Sequence, residues 1–368
     1  MEIIAYLIVT FTTIQLIVSF INLIYIKFSL LPLYERLKSK STPLVSILIP
    51  ARNEEKNIGS ILDSIIKQNY SYIEIIVLDD QSTDNTKKIV KEYLVKEPRI
   101  KLIESTDLPE NWLGKNFACH TLSTIANGDY LLFVDADVNI EKDLISRLIA
   151  LSEKYNLGLI SIFPHQKMFT LSEKITVPII YYILLSLLPL ILVRISKYSS
   201  ISAANGQLML FKTDIYKKFN LHYLFRNSPV EDIDIARFLK KNYIKIMCIT
   251  GIKEVTCRMY DSFKNAINGF SKNIIRILGN NSIIAIMFWF ITTLGFVPLI
   301  FISSRELLII YLFQIILIRI FISITINQNT FENLILIPLQ QIVLGLIILI
   351  AVKNKFSRKL IWKERNIY

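Results

Sequence analysis

Five polar clusters in this 368-residue chain combine residue types that can bind phosphate, hold a hard cation or move a proton. Asp135-Ala136-Asp137 follows the apolar run Tyr130 to Val134. Such a carboxylate pair suits Mg²⁺ or Mn²⁺, which takes one or two carboxylates and completes its shell with substrate phosphates. The same pair can also do no more than solvate a strand end. Pro50-Ala51-Arg52-Asn53-Glu54-Glu55 and Asp79-Asp80-Gln81-Ser82-Thr83-Asp84 close two further apolar runs, and Trp112-Leu113-Gly114-Lys115 offers an ammonium that could reach a diphosphate. Glu231-Asp232, with Asp234 two residues on, begins a helix-like stretch ending in Arg237 and Lys240. One carboxylate there could act as a general base, or merely complement the positive end of a helix dipole. Neither GxGxxG nor GxxxxGK[ST] follows a strand, so dinucleotide and P-loop sites lack their main feature. His120, His165 and His222 show no ligand spacing, and Cys119, Cys248 and Cys257 form no CxxC pair.

The elements that must position these clusters are short β-branched runs alternating with helical patterns. Strands are expected at Val45 to Ile49, Ile73 to Leu78 and Tyr130 to Val134, and helices at Lys56 to Lys67 and Thr86 to Val95. That alternation specifies an α/β layered sheet. Ligands bind such sheets beyond the carboxyl ends of parallel strands, so three of the clusters should converge on one crevice.

The chain is 52% hydrophobic, only 20% charged and carries a net charge of +12. Against about 45–50% apolar and about 25% charged residues in ordinary globular chains, this excess points to membrane segments beside a soluble domain. Residues 1–30 read as a retained anchor, 43–273 as the soluble domain with interfacial helices, 281–353 as membrane helices and 354–368 as a basic tail. Ile3 to Ile26 is uncharged and long enough to cross a hydrocarbon core of about 30 Å. Lys27, Arg36, Lys38 and Lys40 follow it, which places the soluble domain in the cytoplasm. Phe263, Ala266, Ile267, Phe270, Ile274 and Leu278 recur at helical spacing with Lys264, Lys272 and Arg276 interleaved, as in a helix lying at the headgroups. Ile175 to Val193 contains Pro178 and Pro189 and reads as buried core or a broken, re-entrant segment. Ser282 to Ile302, Leu307 to Ile326 and Leu334 to Val352 are long enough to span. Lys353, Lys355, Arg358, Lys359, Lys363 and Arg365 favour a cytoplasmic tail, so one of the three should not cross. The middle one is expected to fail, because Gln314 and Arg319 interrupt it.

In their order and spacing, Val45 to Glu55, Asp79 to Thr86, Asp135-Ala136-Asp137 and Glu231-Asp232 resemble the inverting, nucleotide-sugar-dependent glycosyltransferases of family two, which have the GT-A fold. Trp112 to Lys115, Asn205-Gly206-Gln207, Gly269 to Asn273 and Trp362-Lys363-Glu364-Arg365 are similar to the membrane-bound branch linked to carotenoid-acid and hopanoid glycosylation. The resemblance implies that Pro50, Ala51, Asn53 and Glu54, with Asp79 or Asp80, hold the base and ribose of a UDP-sugar, and that Lys115 approaches the diphosphate. It places Asp135 and Asp137 at the donor and a divalent metal, Asp232 with Glu231 at catalysis, and Asn205, Gly206, Gln207 and Asp234 on the acceptor side. The QxxRW motif of processive synthases is missing after Asp232, which favours transfer of a single sugar. The implied acceptor is a lipid at the plasma membrane, with no role for nucleic acid. A polyprenyl-phosphate sugar transferase, a polysaccharide-synthesis enzyme and an inactive membrane scaffold are the competing readings.

Overall fold

The computed structural model describes residues 2–260, 262–301, 305–357, 361–362 and 365–366. Part of the basic tail, with Arg358, Lys359 and Lys363, lies outside them. The chain forms two compact units, one made of 29–166 and 190–258, the other of 1–28, 167–189 and 259–368.

The first unit is built on a seven-stranded mixed sheet. Its strands are β1 (Val45–Ala51), β2 (Ile73–Asp79), β3 (Ile100–Glu104), β4 (Tyr130–Val134), β5 (Leu159–Ile162), β6 (Leu208–Lys212) and β7 (Ile246–Ile249). They are ordered β3-β2-β1-β4-β6-β5-β7. The β3, β2, β1 and β4 strands are parallel neighbours, whereas β6 runs antiparallel to both β4 and β5. The parallel strands are near-continuous apolar runs because helices cover both faces. Val45, Ile47, Leu48 and Ile49 are accordingly buried, as are Ile75, Ile76, Val77 and Leu78. In the helix Ile58–Ile66, Ile58, Ile61, Leu62 and Ile65 form one buried stripe at helical spacing. The expected strands and helices all appear, with the β1 and β2 strands extended to Ala51 and Asp79. The antiparallel β6 strand departs from a purely parallel reading, and it brings Gln207 beside the end of the β4 strand, where Asp135 N donates to Gln207 O at 3.0 Å.

The second unit is helical. Among the described residues, three helices are able to cross a membrane by length and composition: Glu2–Arg36, Arg305–Thr325 and Ile337–Lys355. The helices Phe263–Ile277 and Ser282–Leu294 form a pair bent by 105°. The expectation for the middle carboxyl-terminal segment is corrected here, because Arg305–Thr325 is one unbroken helix and Ser282 to Ile302 is the interrupted segment. Its first helix ends at Leu294, and a short one, Phe296–Phe301, follows Gly295 and contains Pro298. A proline removes a donor from the helical ladder, whereas Gln314 and Arg319 find partners on neighbouring helices. Gln314 bonds Thr12 and Thr13, and Arg319 donates to Gln340 Oε1 at 3.1 Å. The proline-containing run Ile175 to Val193 is divided among Leu171–Thr176, Pro178–Leu187 and Leu190–Ile195.

Candidate functional site

Lys115 is the second residue of the helix Gly114–Ile125. Its Nζ lies 2.7 and 2.8 Å from the two carboxylate oxygens of Asp135 and donates to Gly206 O at 3.2 Å. Gly206 N in turn donates to Asp232 Oδ2 at 2.9 Å, while Asp232 Oδ1 accepts from Ile233 N at 2.8 Å. One ammonium and one glycine residue thus join the end of the β4 strand to the start of the helix Glu231–Lys241. A Cβ at position 206 would lie 3.2 Å from Glu231 Oε1 and 3.3 Å from Lys115 Nζ, so any side chain there would have to push both groups aside by a few tenths of an ångström.

The neighbours of Gly206 hold this turn in place. Asn205 N donates to Ser161 Oγ at 2.6 Å, Gln207 N donates to Asn205 Oδ1 at 2.9 Å, and Gln207 Nε2 reaches Cys257 Sγ at 3.0 Å. A residue that sequence reasoning missed is the buried Asn116. Its Nδ2 donates to the carbonyls of Phe225 and Ser228, both at 2.9 Å, and of Arg226 at 3.2 Å. This fastens the start of the Lys115 helix to the loop that leads into Glu231. An asparagine beside a lysine carries no chemical signature, so only its fold position reveals it. Asp234 has different partners, Ser228 Oγ at 2.6 Å and Arg237 at 4.0 Å.

Around the β1 and β2 strands the backbone is tied into two facing loops. Asp80 N donates to Ala51 O at 2.8 Å, and Arg52 Nη1 donates to Asp80 O at 2.7 Å. Asn53, at φ 54°, accepts from Thr83 N at 2.8 Å, while Glu54 N donates to Thr86 Oγ1 at 2.7 Å. Pro50 pairs in register with Leu78, and Ala51 with Asp79. Asp79 Oδ1 is buried without a hydrogen-bond partner.

Burial dominates the electrostatics. It pushes the Asp137 carboxyl up to about 7, with Asp135 and Glu54 adding to the effect. Glu231 is likewise pushed up to about 7 by burial, with Lys115 opposing and Asp232 reinforcing, and burial also raises Asp232. Burial works against the Lys115 charge, yet Asp135 and Glu231 hold the ammonium well above its ordinary range. Asp137 Oδ1 is buried and without a hydrogen-bond partner. Such an oxygen beside Asp135 fits a hard divalent cation. Among the described residues no three His, Cys, Asp or Glu side chains form a ligand cage, so the fit is to a cation whose shell substrate phosphates complete.

The raised Glu231 carboxyl has a measurable consequence. It binds its proton more tightly in the folded chain than the ordinary value of 4.5 allows. Its contribution to stability is therefore complete below about pH 4.5 and is lost as pH rises through about 7. The melting temperature of the full chain in detergent should fall between about pH 5 and about pH 8, and the fall should shrink in Glu231→Gln. Equal falls in both proteins would contradict this assignment.

The family model described as Glycosyl transferase family 2 matches residues 46–219, which include the β1, β2 and β4 strand ends and the Lys115 helix. A 4,4'-diaponeurosporenoate glycosyltransferase of Staphylococcus haemolyticus is 27% identical over 262 residues, covering 68% of this chain and 66% of that protein. The protein of the same name from Staphylococcus aureus strain USA300 is 39% identical over 126 residues, covering 33% of this chain and 32% of that protein. The chain thus matches less than two thirds of the length of either relative. A mannosyltransferase from Pyrobaculum calidifontis, solved with GDP-Man and Mn²⁺, shares the fold, with a TM-score of 0.57 at 14% identity over 97% of this chain and 100% of that one. With its motifs at the ends of a mixed α/β sheet, the chain has a GT-A-like fold, and its residues 46–219, a little under half of it, match glycosyl transferase family 2.

Proposed function

We propose that this protein is a membrane-bound glycosyltransferase that passes one sugar, with inversion, from a nucleotide-sugar donor to a lipid-soluble acceptor. The observation that carries the reading is the Lys115 network, which links the Asp135 strand end to Asp232 through a single glycine. The names of the staphylococcal relatives support a lipid-soluble acceptor. Three helices able to span support membrane attachment. We place the domain over 43–273 at the cytoplasmic face of the plasma membrane, because Lys27, Arg36, Lys38 and Lys40 follow the first apolar helix.

In this reading the two facing loops, with Pro50, Ala51, Asn53, Glu54, Asp79 and Asp80, receive the base and ribose. Lys115 stands where the departing diphosphate gains charge, already oriented by Asp135. Asp135 and Asp137 would hold a divalent cation, which when bound would neutralise the leaving phosphates without a proton donor. Asp232, fixed by the amides of Gly206 and Ile233, takes the proton of an acceptor hydroxyl from the face opposite the leaving group. Burial, with Asp135 adding to it, raises the proton affinity of that carboxylate, and Asp232 in turn raises that of Glu231. Asn205, Gly206, Gln207 and Asp234 border the acceptor side.

Two outcomes test these roles. Transfer to a hydroxyl-bearing lipid should require a divalent cation and should be abolished by Asp137→Ala. Activity that survives both chelation and this substitution would refute the metal assignment. Asp232→Asn should retain nucleotide binding while single-turnover transfer falls about 10²- to 10⁴-fold, the usual worth of a general base. Asp234→Asn should cost little, because that carboxylate is engaged by Ser228 and Arg237. A large loss at Asp234 with little at Asp232 would move the base.

A further inference from the structure

The helical unit carries a guanidinium that the proposed reaction does not use. Arg319 is 4% exposed in the middle of an apolar helix. Among the described residues it makes no ion pair: its one hydrogen bond is to Gln340 Oε1 at 3.1 Å, it lies 3.7 Å from the centre of the Tyr182 ring, and its Nε has no partner. Glu332 of the same unit is paired with Lys174 at 2.9 Å, and Glu306 is exposed.

Two further polar groups at this spot are also unsatisfied. The Tyr182 hydroxyl lies among Thr292, Gln15 and Gln341, and at this spot Gln15 Oε1, an acceptor, and Gln341 Nε2, a donor, are buried without a partner. Tyr182 and Gln341 are nearly fully buried, at 1% and 3% exposure. The cluster therefore presents two unused donors, the guanidinium Nε and an amide nitrogen, with a phenol whose neighbouring acceptor is Gln15 Oε1, and among the described residues no negative charge receives the guanidinium. An intramembrane charge is costly unless paired, and its presence marks a functional site by default.

Its depth indicates the kind of ligand. Arg319 precedes the helix end at Thr325 by six residues, about 9 Å at about 1.5 Å per residue. Gln340 comes three residues after the start of the next long helix at Ile337, and its Nε2 donates to Lys174 O at 3.0 Å. Lys27 bonds Asn327 at 2.5 Å at the same end of the bundle. The guanidinium thus lies a turn or two below a polar rim, with apolar helix surface beyond it. This is the depth of a lipid head drawn slightly inward.

We propose that Arg319, with Tyr182 and Gln341, binds the anionic head of a membrane lipid, a carboxylate or phosphate group on an apolar chain. The proposal is independent of sugar transfer. A lipid acid and a bilayer phospholipid offer the same head chemistry, and the test separates them. The full chain is reconstituted in phosphatidylcholine, and its association with spin-labelled stearate, stearate methyl ester and phosphatidylglycerol is read from the motionally restricted fraction. At least one anion should be preferred over the neutral ester by about tenfold, as expected for charge-assisted hydrogen bonds. Stearate alone would identify a lipid acid, and phosphatidylglycerol a bilayer lipid.

Arg319→Gln should remove the preference, whereas Arg319→Lys should keep part of it. Because the guanidinium is buried, the wild-type preference should persist in about 1 M salt, where the screening length falls to roughly 3 Å. That arm needs no variant and remains decisive if Arg319→Gln does not fold. Equal binding of ester and anions, a preference that vanishes in salt, or one retained by a folded Arg319→Gln would each overturn the proposal. Loss of sugar transfer with anion preference intact would count against the enzymatic reading alone.

Discussion

A single ammonium surrounded by carboxylates sets the geometry of the candidate site. Asp135, Glu231 and Asp232 are drawn into a space where burial raises the proton affinity of the last two. Lys115 is the cation that makes their proximity tolerable. Like charges brought together in low dielectric would otherwise shed ionisation or separate. Lys115 contacts both Asp135 oxygens and the Gly206 carbonyl, and the amide of the same glycine holds Asp232. Removing the Lys115 ammonium leaves the buried Glu231 carboxyl without its nearby cation, and that is more costly than losing a surface ion pair.

The sheet exists in a form that delivers these parts. Its parallel half ends in the loops around Asn53 and Asp80, which are joined by backbone and side-chain hydrogen bonds. Antiparallel β6 runs back along the β4 strand and places Gln207 against Asp135, so Gly206 arrives beside Lys115 without a long connection. Asn116 supplies the remaining constraint by holding three carbonyls ahead of Glu231. The acidic side chains are therefore positioned mainly by backbone groups and neutral amides.

This division explains what could be read from the amino-acid order. Val45 to Ile49 and Tyr130 to Val134 announce themselves as buried strands because they must be apolar on both faces, and the polar residues that follow them mark the strand ends. Asn205-Gly206-Gln207 is ambiguous as a string, since its use lies in a carbonyl, an amide and a missing Cβ. Asn116 is silent for the same reason. In the helical unit, Gln314 and Arg319 look like interruptions when hydropathy is summed along one helix, but contacts to Thr12, Thr13 and Gln340 come from elsewhere in the chain. The actual break follows a local rule, at Gly295 and Pro298.

The central claim is that the Lys115 ammonium organises a nucleotide-diphosphate site with Asp135, Glu231 and Asp232. Calorimetric titration of UDP and of GDP into the full chain with saturating Mn²⁺, for wild type and Lys115→Met, tests it most directly. The account predicts that wild type binds one of the two and that Lys115→Met binds it at least about tenfold more weakly, the loss of one charge-assisted contact, while the protein remains folded. Unchanged affinity in Lys115→Met would contradict it.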